Sequence, residues 1–356
     1  MSLAVEWIAD QSDFSSIGDE WDRLLGADAR PFDLHCWYAA WWEAFAAGRE
    51  IAVCAVRRDG ELAGILPLLR EGGRLAALAN SHSPVFRPIA RDVEAGVRLL
   101  RAVLEEGASE LTLSALPVDD PFVAQLPKGK EAPMISLLEA GPVSPIVDTS
   151  GDLEDWRKQS KPRWGAPLER FRRKMGRDYE AVFSIVEAPV DLDAELEDGF
   201  RVESSGWKGK AGTAIVSAPD TQAFYRLVAS AFHDRGELRL SRIVLDGQTA
   251  AFDLCLLHGG RLYLLKTGFD ERFRRLAPGL VMRLSIIERC FELGLDAHEL
   301  LGDDSEWKRK FASGERAHLT LRAYSKGLAG TARRVYRARV RPRLRNAYRR
   351  VRPQRR

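Results

Sequence analysis

The sequence predicts two α/β (α+β) domains of related topology, each a mixed, twisted sheet flanked by helices. Three observations carry this. Residues 50–75, EIAVCAVRRDGELAGILPLLREGGRL, align without a gap onto residues 237–262, ELRLSRIVLDGQTAAFDLCLLHGGRL, at an offset of 187. At the same offset CWYAAWWEAF (36–45) overlies AFYRLVASAF (223–232), and VRLLRAVLEEG (97–107) overlies LSIIERCFELG (284–294), both with helical spacing of apolar residues. The Asp-Gly and Gly-Gly pairs inside the repeat fall between β-type runs and read as hairpin turns, because glycine tolerates the positive φ such turns need. Each copy therefore runs helix, strand, turn, strand, turn, strand, loop, helix, strand. The turn-rich AGPVSPIVDTSGD (140–152) marks the join. It divides the chain into a first domain over residues 1–150, a second over 151–325 and a tail over 326–356.

Composition narrows the class. A chain of 356 residues, 45% apolar and 29% charged, suits two ordinary globular cores. The start, MSLAVEWIADQSDF, has no basic stretch followed by an apolar core, and no apolar run approaches the roughly 20 residues that span a bilayer. A cytoplasmic protein is expected, peripheral at the inner face of a membrane if the tail docks there. Cys36, Cys54, Cys255 and Cys290 lie far apart without a CxxC pair, which predicts free core thiols and no zinc site. The net charge of +3 hides an asymmetry: the tail holds 13 Lys or Arg and no acid, leaving 41 bases against 51 acids elsewhere. Its apolar residues recur at helical spacing opposite arginines until Pro342, a pattern suited to an anionic membrane surface or to RNA, or simply to a solvated extension.

The repeat supplies an internal control. A polar group absent from its twin is not required by the shared scaffold. Asp253 lies opposite Leu66, and Lys266 and Asp270 lie opposite Ala79 and Ser83. The cluster GDDSEWKRK (302–310) lies opposite ALPVDDPFV, which lacks its tryptophan and lysines. Chemistry therefore belongs to the second copy. There Trp-Lys-x-Lys occurs twice, in ESSGWKGKAGTA (203–214) and in SEWKRK, as two walls of one acceptor cleft.

Strand, GFDE, a short basic loop, Pro-Gly, a long apolar helix ending in Gly, then ELLG…WK..FA resembles the BioF2-like acetyltransferase domain, as does the upstream GWKGKAGTA. That domain is a branch of the GNAT superfamily related to the Fem aminoacyltransferases and to CelD-type polysaccharide-biosynthesis acetyltransferases. The resemblance covers residues 156–324. It implies tandem GNAT-like domains, the first degenerate and the second active, moving an acyl group, most often acetyl, from acyl-CoA to an amine without a metal. In RRLAPGLVMRLSIIER it places the CoA pyrophosphate at the helix start. Pro278 suits the first turn, the N–H groups of Gly279, Leu280 and Val281 would face an anion, and Arg274 and Arg275 would pair with phosphates. The sequence departs from the usual GNAT signature in having one glycine, four positions after Arg275.

Amine acylation needs a carboxylate to take a proton. Asp253, in the apolar run AAFDLCLL, and Glu203, one turn before Trp207, are the two candidate bases. For the acceptor the candidates are Trp207 and Trp307 as flat apolar walls, Lys308 for an acidic or phosphate-bearing group, and Lys208, Lys266, Asp270, Asp303 and Asp304 beside them. A basic stretch at 157–177, with nine Lys or Arg and one acid, is an exposed helix joining the domains or a place to recruit a polyphosphate, a nucleotide-linked sugar or acyl-tRNA. Three functions follow: an N-acyltransferase acting on a sugar, lipid-linked or small-molecule amine in envelope or polysaccharide synthesis; a Fem-like transferase using aminoacyl-tRNA; and a non-catalytic membrane-surface factor.

Overall fold

A computed structural model describes residues 3–120, 134–206, 209 and 212–340. Trp207, Lys208, Pro342 and the end of the tail lie outside the described residues. In chain order the first half runs β1 (Leu3–Ile8), α1 (Gln11–Ser16), α2 (Gly18–Leu24), α3 (His35–Phe45), β2 (Glu50–Ile51), β3 (Val53–Arg58), β4 (Glu61–Leu66), β5 (Leu68–Glu71), β6 (Arg74–Ala77), β7 (Ile89–Ala90), α4 (Val93–Glu105), β8 (Glu110–Pro117) and β9 (Met134–Asp148). The second runs α5 (Leu153–Asp178), β10 (Ala181–Glu187), α6 (Leu192–Ser204), α7 (Pro219–Asp234), β11 (Leu238–Leu245), β12 (Gln248–His258), β13 (Arg261–Phe269), α8 (Pro278–Glu292), β14 (Ala297–Glu299), α9 (Glu306–Arg309), β15 (Gly314–Ser325) and α10 (Leu328–Val335).

The repeat is structural down to single residues. Asp59 and Gly60 (φ 53° and 90°) make the turn that Asp246 and Gly247 (φ 48° and 72°) make 187 residues later. The β3–β4 ladder slips register between Val56 and Arg57, and β11–β12 slips at the twin positions Ile243 and Val244. Parallel pairing begins at Arg74↔Glu110 in the first copy and at Arg261↔Ala297 in the second. The copies differ at Pro67, the twin of Leu254. A proline cannot donate to a ladder, and here the chain breaks into β4 and β5, which join different sheets. In the second copy β12 runs through unbroken.

The result is a four-stranded sheet, β1-β3-β4-β7, and a long mixed sheet ordered β10-β11-β12-β13-β14-β9-β15-β8-β6-β5-β2. In the long sheet the two halves interleave. β9 of the first half pairs with β14 of the second, and β15 of the second pairs with β8 of the first. Backbone hydrogen bonding is therefore continuous across the join. The twin helices α3 and α7 complete the contact, with Trp37 edge-on to its own equivalent Phe224 at 5.2 Å between centroids. Such contact between equivalent residues is what a pseudo-twofold arrangement produces. A large aromatic core, including Trp21, Phe32, Trp37, Tyr38 and Trp41, fills the first half and reaches α6 and α7, while a second core lies beneath α8. Burying this much apolar surface is the main stabilising contribution.

Among the described residues no helix is long and apolar enough to cross a membrane. Cys54, Cys255 and Cys290 are buried free thiols.

Candidate active site

β13 and β14 pair only from Arg261↔Ala297 to Tyr263↔Glu299. β14 then stops, whereas β13 continues to Phe269, so the sheet parts at its carboxyl end. A cavity of about 350 Å³ opens there. Its walls are Glu203 and Gly206 at the end of α6, Thr267, Gly268 and Phe269 of β13, Arg274 with residues 277–280 at the start of α8, and Trp307 of α9.

Close packing sets the first wall. Gly199 faces the ring of Phe252, and a Cβ on Gly268 would stand 2.5 Å from the Cα of Glu203. Two glycines thus let α6 lie directly on β12 and β13, which brings Glu203 to the cavity. Its side chain is buried, and its Oε2 accepts a hydrogen bond from the Ile215 N–H at 2.9 Å. Of the two candidate bases, Glu203 is the one on the cavity wall.

Asp253 is placed differently. It is fully buried on the opposite face of β12, ion-paired to Arg283 of α8, and it is not among the cavity residues. Arg283 also donates to His298 Nε2 at 2.6 Å, and His298 Nδ1 reaches the Leu262 carbonyl at 3.0 Å. Burial, and then the Arg283 charge, push the imidazole down to about 3. The ring is neutral, with Nδ1–H donating to Leu262 and Nε2 accepting from Arg283. The guanidinium lies 5.5 Å from the Trp307 ring, so this buried network supports the cavity's aromatic wall from behind. Sequence reasoning missed Arg283. A lone base in the apolar helix run GLVMRLSII, facing a lone acid in an apolar strand, was the available signal.

The second Trp-Lys cluster has an ordered geometry. Leu301 (φ 49°) and Gly302 (φ 58°) turn the chain sharply after β14, and the Lys308 ammonium donates to the Leu301 carbonyl. Lys308 thus fastens the turn that presents Trp307. Asp303 and Asp304 are exposed, and Asp304 pairs with Arg309 at 2.7 Å. Asp270, expected beside the substrate, instead caps the short helix Glu271–Leu276. It accepts from the Arg272 N–H at 2.9 Å and pairs with the Arg272 guanidinium at 2.6 Å, which holds its carboxyl below the usual range. Lys266 lies with its ammonium 4.7 Å from the Tyr225 ring centre.

The set of free donors at the start of α8 is smaller than the sequence predicts. Ala277, the residue before the helix, is left-handed (φ 48°), and its carbonyl accepts from the N–H groups of both Leu280 and Val281, at 3.0 and 3.1 Å. Pro278 has no N–H. Among the described residues this leaves Gly279 as the first-turn donor, with the helix dipole and Arg274. Val281 is buried, and Arg275 is exposed off the cavity wall.

The equivalent positions of the first copy are filled differently. The twin of Gly279 is Asp92, whose own carboxylate caps α4 by accepting from Ala95 N–H at 2.9 Å and pairs with Arg58 at 2.6 Å. The twin of Arg274 is Arg87, held by buried Asp33 at 2.8 Å. In the first copy the chain's own carboxylates, Asp92 and Asp33, stand at both equivalent positions. In the second copy the glycine leaves the helix start open.

Among the described residues no group of three or more His, Cys, Asp or Glu is placed to hold a metal ion. The basic stretch of α5 is partly engaged: Arg157 and Arg172 both pair with Glu288 of α8, at 2.5 and 2.6 Å. Arg170, Arg173, Lys174 and Arg177 are exposed.

Comparison with known proteins agrees with this geometry. An acetyltransferase (GNAT) domain model matches residues 166–309, which include every residue of the cavity wall. No curated protein matches the chain in sequence. Among solved structures, the C-terminal domain (DUF2156) of a protein described as a lysylphosphatidylglycerol synthetase from Agrobacterium fabrum is 13% identical with a TM-score of 0.55, covering 91% of this chain and 97% of that one. L-PGS from Bacillus licheniformis is 12% identical with a TM-score of 0.56, covering 94% and 97%. FemX is 13% identical with a TM-score of 0.52, covering 85% and 93%. These likenesses show a shared fold. Residues 166–309, where the sheet parts at the end of β13, are thus an acetyltransferase (GNAT) domain.

Proposed function

We propose that residues 151–325 transfer an acyl group, most simply acetyl, from acyl-CoA to a primary amine, and that residues 1–150 are a degenerate copy. The observation that supports this best is the contrast between Gly279, where the helix start is open toward a cavity, and Asp92, where the same position is self-capped. The Gly279 N–H, the α8 dipole and Arg274 would hold the pyrophosphate, and the apolar wall of Phe269, Leu280 and Trp307 would enclose the acyl-bearing arm. Acyl-CoA supplies an activated carbonyl with a thiolate leaving group. Glu203 takes the proton from the acceptor amine. The nitrogen lone pair then bonds to the thioester carbon, and the C–S bond breaks with its electron pair on sulfur, which takes up a proton as it leaves. Asp253 acts as a positioning residue through Arg283 and Trp307.

A direct test is thiol release from acetyl-CoA across a panel of sugar, amino-acid and lipid amines. Glu203→Gln keeps an oxygen for the Ile215 N–H, so the fold should persist while turnover falls by about 10² to 10⁴. Unchanged turnover would remove Glu203 from this role. Exposed Arg170, Arg173, Lys174 and Arg177 on α5 support a second reading, in which aminoacyl-tRNA is the donor. It requires tRNA binding that weakens steeply with salt, and salt-insensitive binding or none excludes it. The acceptor is assigned to polysaccharide or envelope synthesis and the tail to an anionic inner membrane face. Leu328, Val335 and Tyr336 are exposed beside Arg333 and Arg334, which supports the tail's part. Equal binding of anionic vesicles by full-length protein and a chain ending at residue 325 would refute it.

A further inference from the structure

A second cavity, of about 210 Å³, lies between the two halves and shares no lining residue with the first. Arg30, in the loop before α3, and residues 117–119 at the end of β8 enter it from the first half, and residues 315–318 of β15 enter it from the second. Its walls are pinned. The Arg30 N–H donates to Asp33 Oδ2 at 2.8 Å and the Asp33 N–H to the Arg30 carbonyl at 2.9 Å, while Phe32 stands edge-on to Tyr263 of β13 at 5.5 Å. The Val118 N–H donates to the Ala317 carbonyl at 3.1 Å, which ties the end of β8 to β15. The cavity is therefore shaped before any ligand arrives, which lowers the ordering cost of binding.

Its inner groups are two guanidiniums and an imidazole. Arg30 and Arg316 are half-buried and His318 is 4% exposed, whereas Asp119 and Glu315 are exposed at the rim. Arg316 uses only its Nε on the protein, at 2.7 and 3.0 Å from the two oxygens of buried Glu299, a carboxylate that Arg261 shares at 3.1 Å. Among the described residues the terminal NH groups of Arg316 and the whole Arg30 guanidinium have no hydrogen-bond or ion-pair partner. His318 Nδ1 donates to the Pro142 carbonyl at 3.2 Å, and burial holds the ring below the usual imidazole range, so it is neutral near pH 7 and Nε2 is left as an acceptor. Solvent screens the two rim carboxylates more than the half-buried guanidiniums. The cavity thus offers donors for an anion beside one acceptor for an O–H or N–H.

We propose that this junction cavity binds a small organic anion, a phosphate or carboxylate that also carries a hydroxyl or ammonium group. The anion lies between Arg30 and Arg316, and the hydroxyl or ammonium donates to His318 Nε2, an ammonium being favoured further by Asp119 and Glu315. The volume is below the roughly 300 Å³ at which pockets for drug-sized ligands begin, so the occupant is a small metabolite and not CoA. The site is independent of the acyltransferase reading. It is joined to the first cavity through β9: Ser144, the register partner of Arg316, donates through Oγ to the Gly302 carbonyl at 2.9 Å, in the turn that presents Trp307.

Isothermal titration of the full chain tests this with glycerol 3-phosphate and serine as probes, glycerol and serinol as counterparts lacking the anion, and sulfate as an anion lacking a donor. At least one probe should bind with a Kd below about 1 mM, about 10-fold tighter than sulfate, and raise the melting temperature, while glycerol and serinol should not bind. The tighter of the two probes distinguishes a phosphate ligand from a carboxylate one. Arg30→Met removes a side chain that makes no ion pair, so it should melt like the wild type and lose about 10-fold or more in affinity for the probe. His318→Phe should weaken the probe and leave sulfate unchanged. Gly279→Asp, at the helix start of the other cavity, should leave probe affinity unchanged. No binding of either probe, sulfate binding as tightly as the organic anions, unchanged affinity in Arg30→Met, or loss of affinity in Gly279→Asp would each overturn the assignment.

Discussion

At the residue scale, the buried Asp253–Arg283 pair has the largest structural consequence. Both side chains are almost wholly removed from water. Deleting one partner leaves an uncompensated charge in the core, which costs about 3 to 5 kcal/mol. Asp253→Ala should therefore lower the urea midpoint sharply, and the double change with Arg283→Met should recover much of the loss. A small effect of Asp253→Ala on stability would argue against the positioning role given to it here. His298 adds a pH dependence. The unfolded chain protonates histidine near about 6.5, whereas the folded protein leaves His298 neutral down to about 3. Between those values the unfolded state binds more protons, so stability is full above about pH 6.5 and falls as pH drops toward 3. Urea midpoints at pH 7 and pH 5 should diverge in the wild type and diverge less in His298→Gln, since His82, also held neutral by burial, keeps its own share. The sequence made Asp253 conspicuous as an acid in an apolar strand but did not show what faced it. The answer lay 30 residues away, on a helix crossing the opposite face.

At the scale of elements, the site depends on how closely α6 approaches β12 and β13. Gly199 sits against the Phe252 ring so tightly that any side chain must displace it. Gly199→Ala should cost about 1 to 3 kcal/mol by overpacking and should weaken acceptor turnover more than CoA binding, because it lifts the helix that carries Glu203. Thermal melts together with calorimetric CoA binding check both parts. A variant that melts like the wild type would show that α6 has slack. Helices, hairpin turns and the offset of 187 were legible because periodicity and Asp-Gly or Gly-Gly pairs encode them locally. The start of α8 was only half legible. Pro278 and Gly279 announced it, but left-handed Ala277, whose carbonyl takes the Leu280 and Val281 N–H groups, is not a conformation that an alanine advertises.

For the whole molecule, the sequence suggested two successive domains, while the long sheet interleaves β9 and β15 between the halves. Strand exchange of this kind leaves no local mark, since an apolar alternating run pairs equally well with either copy. Duplication followed by divergence accounts for the rest. In one copy Asp92 caps the helix start and Asp33 holds Arg87, and the other copy keeps an open helix start at the mouth of a cavity. That asymmetry is the central claim, and Gly279→Asp tests it by giving the second copy the residue of the first. Isothermal titration with acetyl-CoA and with longer acyl-CoAs should show binding to the wild type and a loss of about 10-fold or more in Gly279→Asp, with no loss of thermal stability. Equal affinity in the two proteins, or no CoA binding by the wild type, would contradict it.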